Sequence, residues 1–347
     1  MGIEFEFLKA GKGDCILISI DRGTKKEKNI VIDGGVSKTY KRTTSKTGTL
    51  KSRISKKVSS NLDLVVLTHI DDDHICGLIQ LLKDSKHVGK IKELWFNSSC
   101  YLNKVDAVSS VEKGHGQLNY FQKLIDNQSH IKHRSDIFME NQKIYSNWGK
   151  DIEIILLSPY KKQLDNLDIA QKKWEKERIE KGKEISIPCR DESSMEKSSI
   201  DEEEYKVGER EKNASSIAFI LRYKEKNFLF LADADINIIN NSLKALDRKL
   251  LNFKFVKLSH HGSFKNNINE EFLQLIKTDT YIILTDGKHK RYNHPHKETI
   301  QLILDTKPKR QEIEFIFNYE KFYEEKFYGY SKEDYNYKAN CKREIKW

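Results

Sequence analysis

The sequence predicts an α/β fold with two β-rich halves and helices packed outside them. Short apolar runs typical of buried strands alternate with segments of helical periodicity along most of the chain. This alternation stops at residues 160–213, where most residues are charged or polar, and it resumes beyond them. Strands and helices that alternate in this way are expected to build packed layers around a common core.

The first half of the chain contains a series of predicted strands. Three apolar runs, IEFEFL, CILISI and NIVIDGG, are separated by glycine and lysine turns within the first 35 residues. The basic stretch VSKTYKRTTSKTGTLKSRISKKVSS follows, and we expect a surface loop with a helical start. LDLVVLT predicts a buried strand, ICGLIQLLKDS a helix, and IKELWFN and DIEIILLSP two further strands around a helix near residues 118–126.

Residues 160–213 predict an insert that is partly helical and partly disordered. So few aliphatic side chains cannot offset the conformational entropy of ordering the whole segment. After it, SSIAFILRY, NFLFLADAD, FKFVKLSHHGS and TYIILTDG predict strands, with helices between them and after His294. The tail, residues 319–347, interleaves aromatic residues with lysines. It predicts either an edge packed on the core or a stacking platform for single-stranded nucleic acid, and the former is the commoner use.

Composition narrows the classes of partner. The formal net charge of +10 favours polyanions, nucleic acid above all, although a solvated lysine-rich surface gives the same surplus. The five cysteines form no C-x-x-C pair, which argues against a structural zinc knot. No apolar run approaches the ~20 residues that span a bilayer, and the N-terminus lacks the layout of a secretion signal. We therefore expect a cytoplasmic protein that does not interact with membranes.

Acidic and imidazole side chains are concentrated where predicted strands end. Because strand ends meet at one edge of a sheet, these side chains should lie close together. A mixed histidine and carboxylate set of this density suits a hydrolytic centre with one or two metal ions. The residues are His69, Asp71, Asp73, His74, Asp233, His260, His261 and Asp286.

The segment His69-x-Asp71-x-Asp73-His74 resembles the H-x-H-x-D-H signature of the metallo-β-lactamase superfamily. More closely, seven segments resemble, in order, the motif series of the soluble domain of the ComEC competence-channel family. They are GKGDCILI, VIDGG, LTHIDDDHICGL, NASSIAFIL, FLFLADAD, KLSHHGS and YNHPHKETI. The resemblance implies a metallo-β-lactamase αββα sandwich over residues 1–318, interrupted by the insert at 160–213, with residues 319–347 as a C-terminal extension.

The resemblance also implies a ligand set for one or two divalent ions. His69 and Asp71 would hold one ion, Asp73 and His74 the other, and Asp233 would bridge them. His260 would be the late histidine of the second position, with His261 as its alternative. Mn²⁺ and Zn²⁺ are the expected ions, with Mg²⁺ as a further candidate.

This chain departs from the superfamily pattern in two places. Asp71 replaces the second signature histidine, and a carboxylate in place of an imidazole moves the metal preference from Zn²⁺ toward Mn²⁺ or Mg²⁺. The histidine usually found between the signature and the bridging aspartate is missing, and Asn213, Ser215 and Ser216 occupy that region. We therefore expect the first metal position to be weak or open.

The resemblance places the loop around His294 over the site. His294 or His261 is expected to protonate the leaving oxygen, and Asp73 is counted with them among the catalytic residues. Asp14 and Asp33 are more often turn formers than catalysts, although the resemblance puts both near the metal floor. The cations expected to hold a phosphate chain are Lys265, Lys288 and Arg291.

Together these features predict a metal-dependent hydrolase, specifically a phosphodiesterase or nuclease that acts on nucleic acid or nucleotides through metal-activated water. Two alternatives stay open. The same kind of centre could hydrolyse a small ester, lactone or thioester, because one fold hosts many reactions. The chain could also be a binding or regulatory subunit with reduced catalysis, associated with partner proteins of a bacterial multi-gene system. The sequence leaves the oligomeric state open.

Overall fold

Two mixed β-sheets face each other at the centre of the molecule. The computed structural model describes residues 2–41, 48–97, 117–140, 144–145, 148, 151–180, 209–288, 293–320, 322–327, 329–331 and 333–347. Arg291 and residues 181–208 of the predicted insert lie outside this part of the chain.

The first sheet has seven strands in the described part of the chain. Neighbouring strands are antiparallel from the edge formed by the last strand of the chain to the third strand, and they are parallel beyond it. In spatial order they are β15 (Glu344–Lys346), β1 (Ile3–Phe7), β2 (Ile16–Ile20), β3 (Lys28–Ile32), β4 (Leu64–Val66), β5 (Glu93–Trp95) and β6 (Lys132–Arg134).

The second sheet has eight strands, and its middle and one side are parallel. In spatial order they are β14 (Tyr337–Cys341), β13 (Ile313–Phe317), β12 (Thr280–Ile283), β11 (Phe253–Lys257), β10 (Lys226–Phe230), β9 (Ala218–Tyr223), β8 (Ile152–Ser158) and β7 (Ile144–Tyr145).

Helices connect the strands and cover the outer faces of both sheets. Those described are α1 (Ser37–Tyr40), α2 (Thr49–Lys57), α3 (Asp72–Leu82), α4 (Ser85–Val88), α5 (Gln117–Asp126), α6 (Lys161–Glu180), α7 (Glu209–Ala214), α8 (Ile236–Lys244), α9 (Glu270–Leu275), α10 (Lys297–Thr306) and α11 (Phe322–Lys326). None of the helices in the described part of the chain is long and apolar enough to cross a membrane.

Three apolar clusters correspond to the layers of the fold. The alternation in IEFEF points Phe5 and Phe7 between the sheets, where they meet Phe228 and Phe255 of the second sheet. A second cluster lies between the first sheet and α1 to α3, and a third between the second sheet and α8 to α10. The layer order is therefore helix, sheet, sheet, helix, and the predicted αββα sandwich is confirmed.

The C-terminal extension takes part in both sheets. Strand β14 pairs with β13, and β15 pairs with β1. The Trp347 ring lies 5.8 Å from the ring of Phe5 and 5.6 Å from that of Phe255, at the margin of the core between the sheets. In the predicted insert, the residues after Tyr160 form the 20-residue helix α6.

Two glycines allow α3 to approach the loop that follows β3. A Cβ atom on Gly77 would lie 1.9 Å from the carbonyl oxygen of Gly34, so neither position leaves room for a side chain. The Gly34 amide donates to the carbonyl oxygen of His74 at 2.8 Å. This contact holds the first turn of α3, and with it the Asp73 and His74 side chains, against the ends of β3 and β4.

Candidate metal centre

The predicted cluster assembles between the two sheets at the edge where β4, β10 and β11 end. His69, His74, Asp233 and His261 are each no more than 4% exposed. Asp71 is the N-cap residue of α3 and Asp73 lies in its first turn. Parallel strands bring their carboxyl ends to one edge of a sheet. Residues distant in the sequence therefore meet here.

Asp233 lies between two sets of donor atoms. Its Oδ2 is 3.6 Å from Nε2 of His69 and 3.7 Å from Nε2 of His260. Its Oδ1 is 3.9 Å from Nε2 of His74. Asp71 adds a carboxylate to the first set, with Oδ2 3.8 Å from Nε2 of His69. One carboxylate thus presents a separate oxygen to each of two sets of donors.

The second set is formed by Asp73, His74 and His261. Oδ2 of Asp73 lies 3.6 Å from Nε2 of His261, and one donor atom of each of the three residues falls within 4.8 Å of the others. The structure thus places His261 beside Asp73 and turns His260 toward His69. His261, the alternative left open by the sequence, is thus the histidine beside Asp73, where His260 was expected.

Backbone conformation explains why the two adjacent histidines diverge. His260 (φ 46°, ψ 52°) and His261 (φ 55°, ψ 22°) both adopt left-handed conformations. Each such residue costs roughly 1–2 kcal/mol. Their ring centroids lie 5.9 Å apart at an interplanar angle of 74°. Nothing in the sequence SHHGS specifies which ring faces which set of donors.

Hydrogen bonds to Nδ1 orient three of the imidazoles. Nδ1 of His74 lies 2.8 Å from Oδ2 of Asp33, and Nδ1 of His261 lies 2.9 Å from the carbonyl oxygen of Leu284. Because each Nδ1 faces an oxygen acceptor, it carries the proton and leaves the Nε2 lone pair facing the cluster.

His69 is oriented through a relay. Its Nδ1 lies 3.0 Å from Oγ1 of Thr68, and that hydroxyl donates to Oδ2 of Asp33 at 2.8 Å. Because the Thr68 hydroxyl donates to Asp33, its oxygen accepts a hydrogen bond from the Nδ1–H of His69. Asp33 thereby fixes both His69 and His74 in the tautomer that a metal ligand requires.

The donor set fits a divalent cation. Within the described part of the chain, no hydrogen-bond partner reaches Nε2 of His69, Nε2 of His74 or Oδ1 of Asp233, although all three atoms are buried. A buried polar atom without a partner costs about 1–3 kcal/mol. The donor atoms of these three residues lie within 4.8 Å of one another, and a divalent cation held between them would compensate all three.

The pKa values show how strongly these charges interact. Burial alone would raise the pKa of Asp233, but His260, His69 and His74 lower it well below its usual range. Burial alone would lower the pKa of His261, but the charge and hydrogen bond of Asp14 raise it to about 9. The pKa of His69 is lowered by burial and by the charge of His74. The positive charge of protonated histidines thus balances the negative charge of the carboxylates, and a cation that binds here must displace protons from the histidines.

A buried ion pair lies beneath His261. Lys257, 1% exposed at the end of β11, pairs with Oδ2 of Asp14, and Oδ1 of Asp14 lies 3.2 Å from Nδ1 of His261. Burial alone would raise the pKa of Asp14, but Lys257 and His261 lower it to about 2. The pair joins the two sheets at the floor of the centre.

His294 completes the rim on the side of His260. It is buried, and its ring centroid lies 5.3 Å from that of His260 and 6.2 Å from that of His261. Burial and the charges of His261 and His260 lower its pKa to about 2. His294 is therefore neutral at physiological pH.

The first set of donors has two further neighbours. Oδ1 of Asp71 lies 3.5 Å from Nζ of Lys212, which offers the carboxylate an alternative to a metal ion. The Asn213 amide nitrogen lies 3.5 Å from Nδ1 of His260, in the region where the superfamily histidine is missing. Both contacts come from α7, so the residues that precede β9 border this position.

Of the three cations expected to hold phosphate, the two among the described residues lie on the surface. Lys265 and Lys288 are exposed, and Arg291 is not among the described residues. The backbone of Asp286 is bound to the Gly11 carbonyl oxygen at 2.9 Å, and its carboxylate accepts from the Lys288 amide at 3.1 Å. It is not part of the grouped donor sets.

Comparison with known proteins agrees with this geometry. Residues 8–110 match the family model "Metallo-beta-lactamase superfamily". A 48-residue segment is 46% identical to "ComE operon protein 3" of Bacillus subtilis (strain 168); it covers 14% of this chain and 6% of that protein. The resemblance to the superfamily, whose members are generally hydrolases that bind divalent metals, is confirmed, and the fold is its αββα sandwich.

Solved structures with a related arrangement are distant. PqqB from Methylobacterium extorquens is 9% identical with a TM-score of 0.43, and the alignment covers 99% of each chain. A putative metal-dependent hydrolase from Parabacteroides distasonis is 11% identical with a TM-score of 0.37, over 97% of this chain and 91% of that one. Similarity at this level does not bear on what this chain binds or cleaves.

Proposed function

We propose that this metallo-β-lactamase-fold chain is a metal-dependent phosphodiesterase that acts on nucleic acid or nucleotides. The observation that carries the proposal is the position of Asp233, whose two oxygens face separate sets of imidazole and carboxylate donors. A shared carboxylate between two such sets is the arrangement that places two cations close together. Two-metal centres of that kind are common in phosphatases and nucleases.

The residues that would hold the ions follow from the distances. His69, His260 and Asp71 would hold the first ion, and Asp73, His74 and His261 the second, with Asp233 shared. Bound there, divalent ions would supply Lewis acidity toward a phosphate oxygen and lower the pKa of a coordinated water. Three carboxylates among seven ligands move the metal preference from Zn²⁺ toward Mn²⁺ or Mg²⁺, and the four imidazoles keep Zn²⁺ a candidate.

The chain's own residues would prepare this chemistry before substrate arrives. Asp33 and Thr68 hold His69 and His74 with their Nε2 lone pairs directed at the centre. The ion pair of Asp14 and Lys257 supports His261 from below. Ligands fixed in this way need no reorganisation during the reaction, which is the source of most electrostatic catalysis.

His294 is assigned the leaving-group side. Because it is neutral and buried, it can donate one N–H hydrogen bond to an oxygen of the substrate, but it cannot store an extra proton. His261 is occupied by Leu284 and Asp14 at Nδ1 and by the second set of donors at Nε2. In this proposal His294 therefore hydrogen-bonds the leaving oxygen, in place of the protonation that the sequence predicted for His294 or His261.

A polyanionic substrate suits the charge of the molecule. The formal net charge is +10, and Lys265 follows the turn that carries His260 and His261. In this proposal Lys265, Lys288 and Arg291 hold the phosphate chain by charge attraction and counterion release.

The test combines metal analysis with a substrate panel. Purified protein reconstituted with Mn²⁺, Mg²⁺ or Zn²⁺ would be assayed on single- and double-stranded DNA, RNA, dinucleotides, and small esters, lactones and thioesters. We expect about two ions per chain and hydrolysis of phosphodiesters.

The other outcomes separate the alternatives. Hydrolysis of esters alone would support the small-molecule hydrolase. Full metal content without turnover would support a binding or regulatory subunit that acts with partner proteins. Less than about one ion per chain and no turnover would refute the proposed mechanism.

A further inference from the structure

A groove of about 420 Å³ lies along α10, the helix that follows the loop carrying His294. Its floor is one face of α10, where Lys297, Gln301, Leu302 and Asp305 follow one another at helical spacing. Phe264 forms one wall and Tyr330 of the C-terminal extension forms another. This volume falls within the range of about 300–1,000 Å³ typical of small-molecule sites.

Phe264 is unusual for its exposure. It is 39% exposed, and among the described residues it shares with Ile169 the distinction of being a large exposed hydrophobic side chain. A single exposed apolar residue needs no explanation by itself. Phe264 differs because its ring borders a groove and because it follows the two histidines of the centre by three residues.

A series of residue contacts links Phe264 at the groove to the metal centre. The Phe264 amide donates to Nδ1 of His296 at 3.0 Å, and the His296 ring centroid lies 4.8 Å from that of His294. The His294 ring is tilted by 44° relative to the His260 ring, with their centroids 5.3 Å apart. The Phe264 end of the groove therefore lies on the side of the centre that carries His294 and His260.

The polar lining indicates which group would fit. Lys297 contributes one positive charge, whereas Glu298 and Asp305 contribute two negative charges. Such a lining repels a second phosphate, but it accepts an uncharged ring that carries amino groups. An aromatic wall adds stacking, which is worth about 1–3 kcal/mol per nucleobase.

The far wall is held in place by its own hydrogen bonds. The Tyr330 hydroxyl donates to the Lys297 carbonyl oxygen at 3.0 Å, and the Tyr335 hydroxyl donates to Oδ1 of Asp305 at 2.9 Å. The C-terminal extension is thus bound to α10 at both ends of the groove, and the wall exists before any ligand arrives.

We propose that this groove is a base subsite, in which Phe264 stacks on one nucleobase of a substrate whose phosphodiester lies at the metal centre. The inference rests on the proposed phosphodiesterase function and extends it by naming the group recognised next to the scissile bond. It predicts a substrate with a base on the groove side and no second phosphate there.

The experiment compares d(ApA) with two counterparts in which one or the other adenine is replaced by hydrogen. Phe264→Ala should raise KM for d(ApA) about 10-fold. KM for the counterpart that lacks the groove-side base should not change. Phe264→Trp should retain the parent KM, because an aromatic face is restored. Ile169→Ala, which removes the comparable exposed side chain on α6, is the matched control.

Two results would overturn the base subsite. If the parent hydrolyses d(ApA) and Phe264→Ala alters KM equally for all three substrates, or for none, the subsite is wrong and the phosphodiesterase stands. If the parent hydrolyses none of them, the proposed function fails. Calorimetry with deoxyadenosine 5′-monophosphate then tests whether the groove binds a nucleobase. Binding that weakens about 10-fold in Phe264→Ala supports the subsite, and equal or absent binding refutes it.

Discussion

At the scale of single residues, Asp233 is the side chain on which both donor sets depend. Its oxygens face His69 and His260 on one side and His74 on the other. Replacing it with alanine removes the shared anionic ligand, so both ions should be lost together. His261→Ala should mainly empty the second position, because His261 contacts Asp73 and lies away from His69.

The measurement is metal content by elemental analysis, alongside hydrolysis and circular dichroism. The fold should persist because the ligands lie at strand ends. Turnover should fall by orders of magnitude. Asp247→Ala, an exposed aspartate that caps the turn before β11, controls for removal of an acid. An Asp233→Ala variant that still held two ions would exclude the bridging role.

Lys257 gives a second prediction at this scale. Lys257→Met would leave the buried Asp14 carboxylate with His261 but without its lysine partner, and breaking a buried pair in this way costs about 3–5 kcal/mol. The double variant Lys257→Met with Asp14→Asn removes both charges and should recover part of that loss. Urea unfolding of the parent and the variants would measure the free energies of unfolding. Equal stability of the single and double variants would show that the pair does not act as a unit.

At this scale the sequence predicted some residues of the candidate centre but not all of their contacts, for physical reasons. His69, Asp73, His74 and Asp233 could be found because each follows an apolar strand, and the strand-end rule needs only local pattern. The resemblance put Asp14 near the metal floor, but its ion pair with Lys257 could not be found, because that contact spans two sheets. Which of His260 and His261 faces Asp73 depends on two left-handed backbone conformations that the sequence does not specify.

At the scale of elements, the C-terminal extension holds the loop that carries His294. Nζ of Lys326 in α11 donates to both the carbonyl oxygen and Oδ1 of Asn293, at 2.7 and 2.6 Å, and Lys326 is 7% exposed. Asn293 has a φ of 43° and directly precedes His294. The lysine therefore stabilises a strained residue next to a candidate catalytic group.

Lys326→Met should lower kcat about 10-fold, since a displacement of ~1 Å can cost up to 100-fold. Metal content should not change, because Lys326 contacts none of the proposed ligands in the described part of the chain. Lys338→Met, which removes an exposed lysine of β14 paired with Glu312, is the matched control. If kcat were unchanged while stability fell, the role of Lys326 would be structural only.

Strand β15 supplies a pH-dependent prediction. Hydrogen bonds from Lys346 and Lys57 lower the pKa of Glu344 from 4.5 to about 2. A carboxylate with a lowered pKa stabilises the folded state above its unfolded pKa, and this contribution is lost as the pH falls from about 4.5 toward 2. The edge strand should therefore loosen in that window.

The fluorescence of Trp347, obtained by difference from Trp347→Phe, would report this change, because the Trp347 ring packs against Phe5. Glu344→Gln removes the charge at every pH. In this variant the part of the acid-induced fluorescence change that the Glu344 carboxylate causes should be absent. A parent signal that stays constant between pH 4.5 and 2 would mean that the ion pairs of Glu344 do not hold the strand.

The elements themselves were predicted to different degrees. The strands of the core, such as β1 and β10, follow from apolar alternation or apolar runs in IEFEF and KNFLF. Strands β14 and β15 have no such pattern. YKANC and EIK become strands because the edges of the two sheets offer unpaired backbone groups, which is tertiary information.

At the scale of the whole molecule, two β-rich halves with helices outside them follow from the alternation of strands and helices, and the αββα sandwich follows from the motif resemblance. The use of the net charge of +10 does not follow from the fold. If the surplus serves substrate binding, affinity for DNA must fall steeply with salt. Each phosphate neutralised contributes about −0.9 to the slope of log K against log salt concentration.

We expect a slope steeper than about −3 for a 20-base-pair duplex, which corresponds to roughly four phosphates neutralised. Equilibrium binding between 50 and 200 mM NaCl, measured in Ca²⁺ to suppress turnover, gives this slope. Lys265→Ala combined with Lys288→Ala should flatten it by about 2, one for each lysine, whereas Lys172→Ala on α6 should leave it unchanged. A slope near zero in the parent would show that the positive surplus serves solubility alone, and it would favour an uncharged small substrate at the metal centre.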